Sequence, residues 1–238
     1  MAKRKSPDYR YVGWSQHPNN IFLPALPIQP LKNGYYEIGY SEMDAKYFLR
    51  KIEVNSDILF QLPSTPMEKI ISQLKIFWNK KDEFKNLDVI KKYSALIYGP
   101  PGNSKTSTLK ILADEVINNF DGIVLVLNDV TQIRYFLCYI DTIRKLEKPN
   151  RPILVLMEDI DRFLDEQDGS SSALLSVLDG LKSVENIVHL ATCNKPEKLD
   201  EAILRRFNLK LKINCPDAVS RRAYLERKFA DAGFIPKE

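Results

Sequence analysis

The chain has 238 residues, room for one α/β domain with an extension or for two small domains. Hydrophobic residues make up 44% and charged residues 28%, the proportions of a folded globular chain and not of a disordered one. A net charge of +4 is too small to point to nucleic acid, and no apolar run approaches the ~18 residues that span a bilayer.

The start, Met1-Ala2-Lys3-Arg4-Lys5, is basic but has no apolar stretch behind it, which argues against a secretory leader. Cys138, Cys193 and Cys215 are too widely spaced to form a zinc ladder, and they fit a reducing, cytoplasmic compartment. Residues 1 to 34 hold five of the 14 prolines, with turn signals at Asn19-Asn20 and Asn33-Gly34, and read as an extended or loop-rich arm. Its aromatics Tyr9, Tyr11, Trp14 and Phe22 would dock it on its own body or on a neighbouring subunit.

Ser41 followed by Asp44 has the form of a capping box and predicts a short helix over 41–54; 57–62 reads as a short strand. Thr65-Pro66-Met67-Glu68 then opens a firmer helix, whose Ile70, Ile71, Leu74, Phe77 and Trp78 recur at helical spacing. From residue 94 onwards strands alternate with helices. Strands are predicted at 94–98, 122–127, 153–157, 187–192 and 208–213, and helices at 104–119, 131–148, 171–181 and 217–232. Such alternation gives a parallel sheet covered on both faces, with ligands beyond the carboxyl ends of its strands.

Four strand ends carry chemistry. After the first comes Gly99-Pro100-Pro101-Gly102-Asn103-Ser104-Lys105-Thr106, then Ser107, close to the phosphate-binding pattern G-x-x-x-x-G-K-[ST]. Glycines let consecutive N–H groups turn inward on an anion, at the positive end of the next helix. Lys105 would reach the outer phosphates and Thr106 would ligate Mg²⁺. Ser104 stands where the pattern has glycine, and its Cβ disfavours a positive φ, which predicts weaker binding or slower turnover. The apolar strand 153–157 delivers Glu158 and Asp159 to its tip, the first to hold the metal and the second to polarise a water. Asn194 follows the next strand, placed to orient that water. Arg205-Arg206-Phe207 precedes the last, where arginines of one copy would neutralise phosphate charge in its neighbour.

Taken together, these segments resemble the nucleotide-binding core of an AAA+ ATPase of the AAA clade. The residues that carry the likeness are Gly-Pro-Pro-Gly at 99–102 with Lys105-Thr106, Glu158-Asp159-Ile160-Asp161, Leu-Leu-Ser-Val-Leu-Asp-Gly at 174–180, and 191–196 with 199–207. By that resemblance Asn194 matches sensor 1, and Arg205 and Arg206 match paired arginine fingers. The implied fold is a three-layer P-loop core with strand order 5-1-4-3-2. It would occupy 57–216, with a small irregular α+β region over 1–56 and an incomplete helical lid beginning at 217–238. The implied cofactors are ATP and Mg²⁺, and the implied assembly is a homo-oligomeric ring of six copies.

The family's aromatic pore loop has no clear counterpart in 128–140; Tyr135 or Phe136 would serve, but helical spacing favours their burial. Three functions follow. The leading one is interfacial ATP hydrolysis that remodels a macromolecular partner. The alternative is a nucleotide-gated scaffold with little hydrolysis. A third is a clamp-loader or helicase-loader role on DNA, for which the basic pairs at Lys80-Lys81 and Lys91-Lys92 are too scattered. His17, His189, Cys138 and Cys193 carry no role; His189 and both cysteines read as buried.

Overall fold

The computed structural model describes residues 13–17, 21–25, 30–54, 67–79, 92–147, 151–166, 169–179 and 186–233. The expected strand at 57–62, the helix opening at Thr65-Pro66, and the basic residues at 3–5, 80–81 and 91 lie outside them. Among the described residues nine strands form one sheet: β1 (Gly13–His17), β2 (Ile21–Ala25), β3 (Gly34–Ser41), β4 (Lys46–Ile52), β5 (Lys92–Tyr98), β6 (Ile123–Leu127), β7 (Ile153–Met157), β8 (Ile187–Cys193) and β9 (Leu209–Lys212). The helices are α1 (Met67–Asn79), α2 (Lys105–Phe120), α3 (Val130–Leu146), α4 (Ile160–Glu166), α5 (Ser170–Asp179), α6 (Glu201–Arg205) and α7 (Ala218–Asp231). No helix among the described residues is long and apolar enough to cross a membrane.

Across the sheet the order is β1-β2-β4-β3-β6-β7-β8-β5-β9. The strands β5 to β9 are all parallel and run fifth, first, fourth, third, second from one edge. The full order differs from the expected five-strand one because four N-terminal strands continue the sheet past β6. There β3 pairs parallel to β6 and antiparallel to β4. The arm is therefore partly sheet, with β1 and β2 forming an antiparallel hairpin.

Strand alternation decides which side chains meet which helix layer. Ala95, Ile97, Val124, Leu154, Leu156, Val188 and Leu190 point to one face and pack with Ile70, Leu74, Leu109, Leu112 and Val116 of α1 and α2. Leu96, Ile123, Leu125, Ile153, Val155 and Met157 point the other way, onto Ile133, Phe136 and Ile140 of α3 and Leu174 and Val177 of α5. The two faces bury two separate cores, giving three layers.

The helix expected over 41–54 is absent. Its capping-box residues do hydrogen-bond: Ser41 Oγ donates to Asp44 Oδ2 at 2.9 Å and accepts from Asp44 N–H at 3.3 Å. They close a hairpin turn, in which Ala45 takes a φ of 50°. The flanking sequences are rich in tyrosine, isoleucine and phenylalanine, whose branching and rings favour strands, and their burial among neighbours outweighs a local cap. Tyr36 and Leu49 are fully buried in the α3-side core. Tyr35 reaches the other layer, donating its hydroxyl to Asp114 Oδ1 at 2.8 Å. Burial and that carboxylate raise its pKa well above the usual phenol range.

Tyr135 sits half-buried in a cluster with Tyr40 and Tyr47, and Phe136 is 3% exposed, so helical packing takes both. Cys138, expected in the core, is exposed on α3: the buried face of the helix falls on Phe136, Tyr139 and Ile140, which flank it. Cys193 and His189 are buried as expected.

Candidate active site

The loop 99–104 leaves β5 under tight constraint. Gly99 has a φ of +152°, and a Cβ on it would lie 2.1 Å from the Ile213 carbonyl oxygen. Its N–H donates to the Cys193 carbonyl of β8 at 3.2 Å, and the Tyr98 carbonyl accepts from Ile213 N–H at 2.8 Å. The loop is thus pinned between its two neighbouring strands. Pro100, Pro101 and Gly102 form its exposed rim, while Asn103 and Lys105 are buried. Ser104 adopts φ 61°, ψ 23°, the left-handed conformation that the pattern's glycine would take freely. The loop therefore keeps its shape with serine, which holds a backbone strained by roughly 1–2 kcal/mol.

Ser107 is half-buried on the first turn of α2, and the Ser104 carbonyl accepts from Thr108 N–H at 2.9 Å, so the helix begins directly under the loop. Asn103 donates to the exposed Cys215 Sγ at 3.7 Å, linking the loop to the segment after β9.

Lys105 is 5% exposed, and its Nζ donates to the carbonyls of Gly99 and Pro100 at 2.9 and 2.8 Å. Burial lowers its pKa, while Asp159, Cys193 and Asp161 act to raise it. A whole positive charge is held by neutral carbonyls at the mouth of a glycine-turned loop, an arrangement that suits a polyanion. Thr106 Oγ1 donates to Glu158 Oε2 at 3.0 Å, so the hydroxyl of the loop and the carboxylate of β7 meet across the strand ends. That oxygen pair suits a hard divalent cation, which Mg²⁺ would complete with water and phosphate oxygens.

Asp159 follows Glu158 with a φ of 51° and lies beside Arg162, whose Nη2 is 3.2 Å from Oδ2. Its N–H donates to Thr192 Oγ1 at 2.9 Å. Asn194, just beyond β8, donates its N–H to Asp161 Oδ1 at 2.9 Å. Cys193 is fully buried against the same Asp161; burial first and that carboxylate second push its thiol up to about 12.

Arg205 and Arg206 stand apart from this cluster, at the end of α6, where Asp200 caps the helix by accepting from Ile203 N–H at 2.7 Å. Arg206 donates to Asp179 through Nε at 2.6 Å and Nη2 at 3.0 Å, and to the Ala202 carbonyl through Nη1 at 2.8 Å. The Asp179 carboxylate raises its pKa. Arg205 projects outward, 70% exposed, with Glu201 at 2.5 Å. The structure thus gathers Gly99 to Ser107, Glu158, Asp159 and Asn194 at the carboxyl ends of β5, β7 and β8. The Arg206 main chain instead packs near the start of β5, its carbonyl accepting from Ser94 Oγ, so the two arginines lie away from this cluster.

The family model described as "ATPase family associated with various cellular activities (AAA)" matches residues 95–215, just over half of the chain. The chain belongs to the AAA family. Among AAA relatives, one of Corynebacterium kroppenstedtii named "AAA ATPase forming ring-shaped complexes" is 26% identical, over 82% of this chain and 39% of its own length. The "ATPase family gene 2 protein" of Saccharomyces cerevisiae is 26% identical over 74% of this chain and 26% of its own. An "ATP-dependent zinc metalloprotease FtsH" of Lancefieldella parvula is 29% identical over 71% and 28%. The chain thus spans between a quarter and two fifths of the length of these relatives.

Three contacts of the AAA core have no local signature in the sequence. Thr192 ends a predicted strand, Asp161 closes the acidic run at 158–161, and Asp179 lies in the motif at 174–180, and none of these local settings gives the residue a role. Each acts through a partner far away in sequence: Asp159, Asn194 and Arg206. Only the register of β7 against β8 would have revealed the first two.

Proposed function

We propose that this chain binds Mg·ATP at the 99–107 loop and hydrolyses it at an interface between copies arranged in a ring of six. The hydrolysis would drive remodelling of a macromolecular partner. The observation that carries the reading is the 3.0 Å contact between Thr106 Oγ1 and Glu158 Oε2 beside the buried Lys105 ammonium. In this reading Gly99, Pro100, Pro101, Gly102, Asn103, Ser104 and Ser107 shape the cradle and Lys105 meets the outer phosphates. Thr106 and Glu158 hold the cation, which would neutralise charge on the phosphate oxygens. Asp159 takes a proton from the attacking water, Asn194 orients that water, and Arg205 and Arg206 act on the neighbour's nucleotide. Residues 57–216 form the nucleotide-binding unit, with 217–238 as the opening of the helical lid, and the cytoplasm is the compartment that suits it.

Calorimetric titration with Mg·ATP tests the reading. The wild-type chain should bind it, and Lys105→Ala should lose at least tenfold in affinity. A flat titration of the wild type at millimolar ligand would refute it. A second reading, a nucleotide-gated scaffold with little turnover, is supported by the strained Ser104 and by the Arg162 partner on the Asp159 carboxylate. Turnover no faster than that of Asp159→Ala, together with tight Mg·ATP binding, would favour it.

A further inference from the structure

The parallel ladder between β7 and β8 ends at the pair Met157–Ala191, just short of the residues read above as base and water-orienting group. Past that point two side chains take over. Asp159 N–H donates across to Thr192 Oγ1, and Asn194 N–H donates back to Asp161 Oδ1, both at 2.9 Å. The two bonds run in opposite directions between the same two strand ends, so they fix one end against the other as a reciprocal clasp. Both acceptors are shielded from water: Thr192 is fully buried and Asp161 is 4% exposed. Buried bonds of this kind hold geometry, because a donor left unpaired there has no solvent to turn to.

Asp159 also needs holding. Its φ of 51° is a conformation that a residue with a Cβ keeps only when its surroundings enforce it. The Arg162 ion pair does not supply that force, since Arg162 is 72% exposed and such pairs are weak. We propose that Thr192 is a positioning residue: its hydroxyl, continuing the β7–β8 ladder by one rung, locks the Asp159 main chain in the left-handed turn that aims its carboxylate relative to Asn194. The proposal rests on the reading of Asp159 as the base. A β-branched residue suits the buried strand, and among such residues only threonine brings an acceptor to that place.

The test compares Thr192→Val, which keeps shape and strand preference but removes the acceptor, with Thr192→Ser, which keeps it. In the unliganded chain, amide hydrogen exchange at Asp159 should be slow in the wild type and in T192S and at least tenfold faster in T192V. In turnover assays T192V should lose tenfold or more in kcat, with the Kd for Mg·ATP within twofold of wild type, and T192S should recover most of the rate. Unchanged protection of the Asp159 amide in T192V overturns the proposal. So does a parallel loss of Mg·ATP affinity and rate in T192V, or a T192S as slow as T192V. Should T192V not fold, Thr192→Ala against T192S carries the same comparison. A wild-type chain that binds no Mg·ATP would overturn the functional reading, while the Asp159 amide would still decide whether Thr192 holds this turn.

Discussion

Replacing Gly99 by alanine should damage the protein for a reason that can be worked out atom by atom. The new Cβ would sit 2.1 Å from the Ile213 carbonyl oxygen, where contacts below 3.0 Å essentially do not occur, so loop and β9 must part by roughly 1 Å. The same movement stretches the 2.8 Å bond from Ile213 N–H to the Tyr98 carbonyl, worth about 1 kcal/mol. A φ of +152° on a residue with a Cβ adds about 1–3 kcal/mol, and the stiffer unfolded chain returns up to about 1 kcal/mol. The net loss is about 3 kcal/mol, or a fall in Tm of roughly 6–12 °C for a chain of this size. Gly102→Ala is the control. Nothing lies within 4 Å of its Cβ, so only the strain at φ +79° applies, and Tm should fall by about 2–4 °C. Thermal unfolding followed by circular dichroism measures both. A G99A melting within 3 °C of wild type, or a G102A melting as low as G99A, would refute the collision as the cause.

Ser104→Gly relieves the left-handed strain and clears a Cβ from the cradle, so calorimetry should show Mg·ATP bound about fivefold tighter, ~1 kcal/mol; no change would mean that serine is neutral there. Arg205→Ala should leave Tm unchanged and cut turnover about a hundredfold at protein concentrations that favour assembly. Arg206→Ala, which also breaks the bidentate contact to Asp179, should lower both. A Cys193 thiol pushed up to about 12 keeps its proton in the native chain while the unfolded chain loses it near pH 9. Unfolding free energy should therefore fall as pH rises from 9 towards 12. The urea midpoint of Cys193→Ala should fall less steeply over that window than that of the wild type.

The parallel core was legible because each strand is a short apolar run bounded by turn residues, and because burial on both faces leaves such runs no other use. The loop 99–106 and the acids at 158–159 were legible because the chemistry depends on residue types at fixed spacing. The hairpin at 34–52 was not. Ser41 and Asp44 bond to each other across a turn just as such a pair can at a helix start, and what decides between turn and helix is the edge of β6, some 80 residues away. Arg206 likewise belongs to a pattern that reads as a paired finger, yet its in-chain partner Asp179 depends on how α5 meets α6. The roles of Thr192 and Asp161 depend on register alone, which no local pattern encodes.

The way the N-terminal hairpin docks bears on how the protein can be cut. β3 covers the outer side of β6 with main-chain hydrogen bonds, while Tyr36 and Leu49 fill space beneath it. A fragment trimmed to begin at residue 57 would lose that seal, baring a run of unpaired amides and carbonyls along Ile123–Leu127 above an opened cavity. Such a fragment would tend to recruit strands from other molecules and precipitate. A fragment that keeps the outer side of β6 covered therefore has to retain β3, which starts at Gly34.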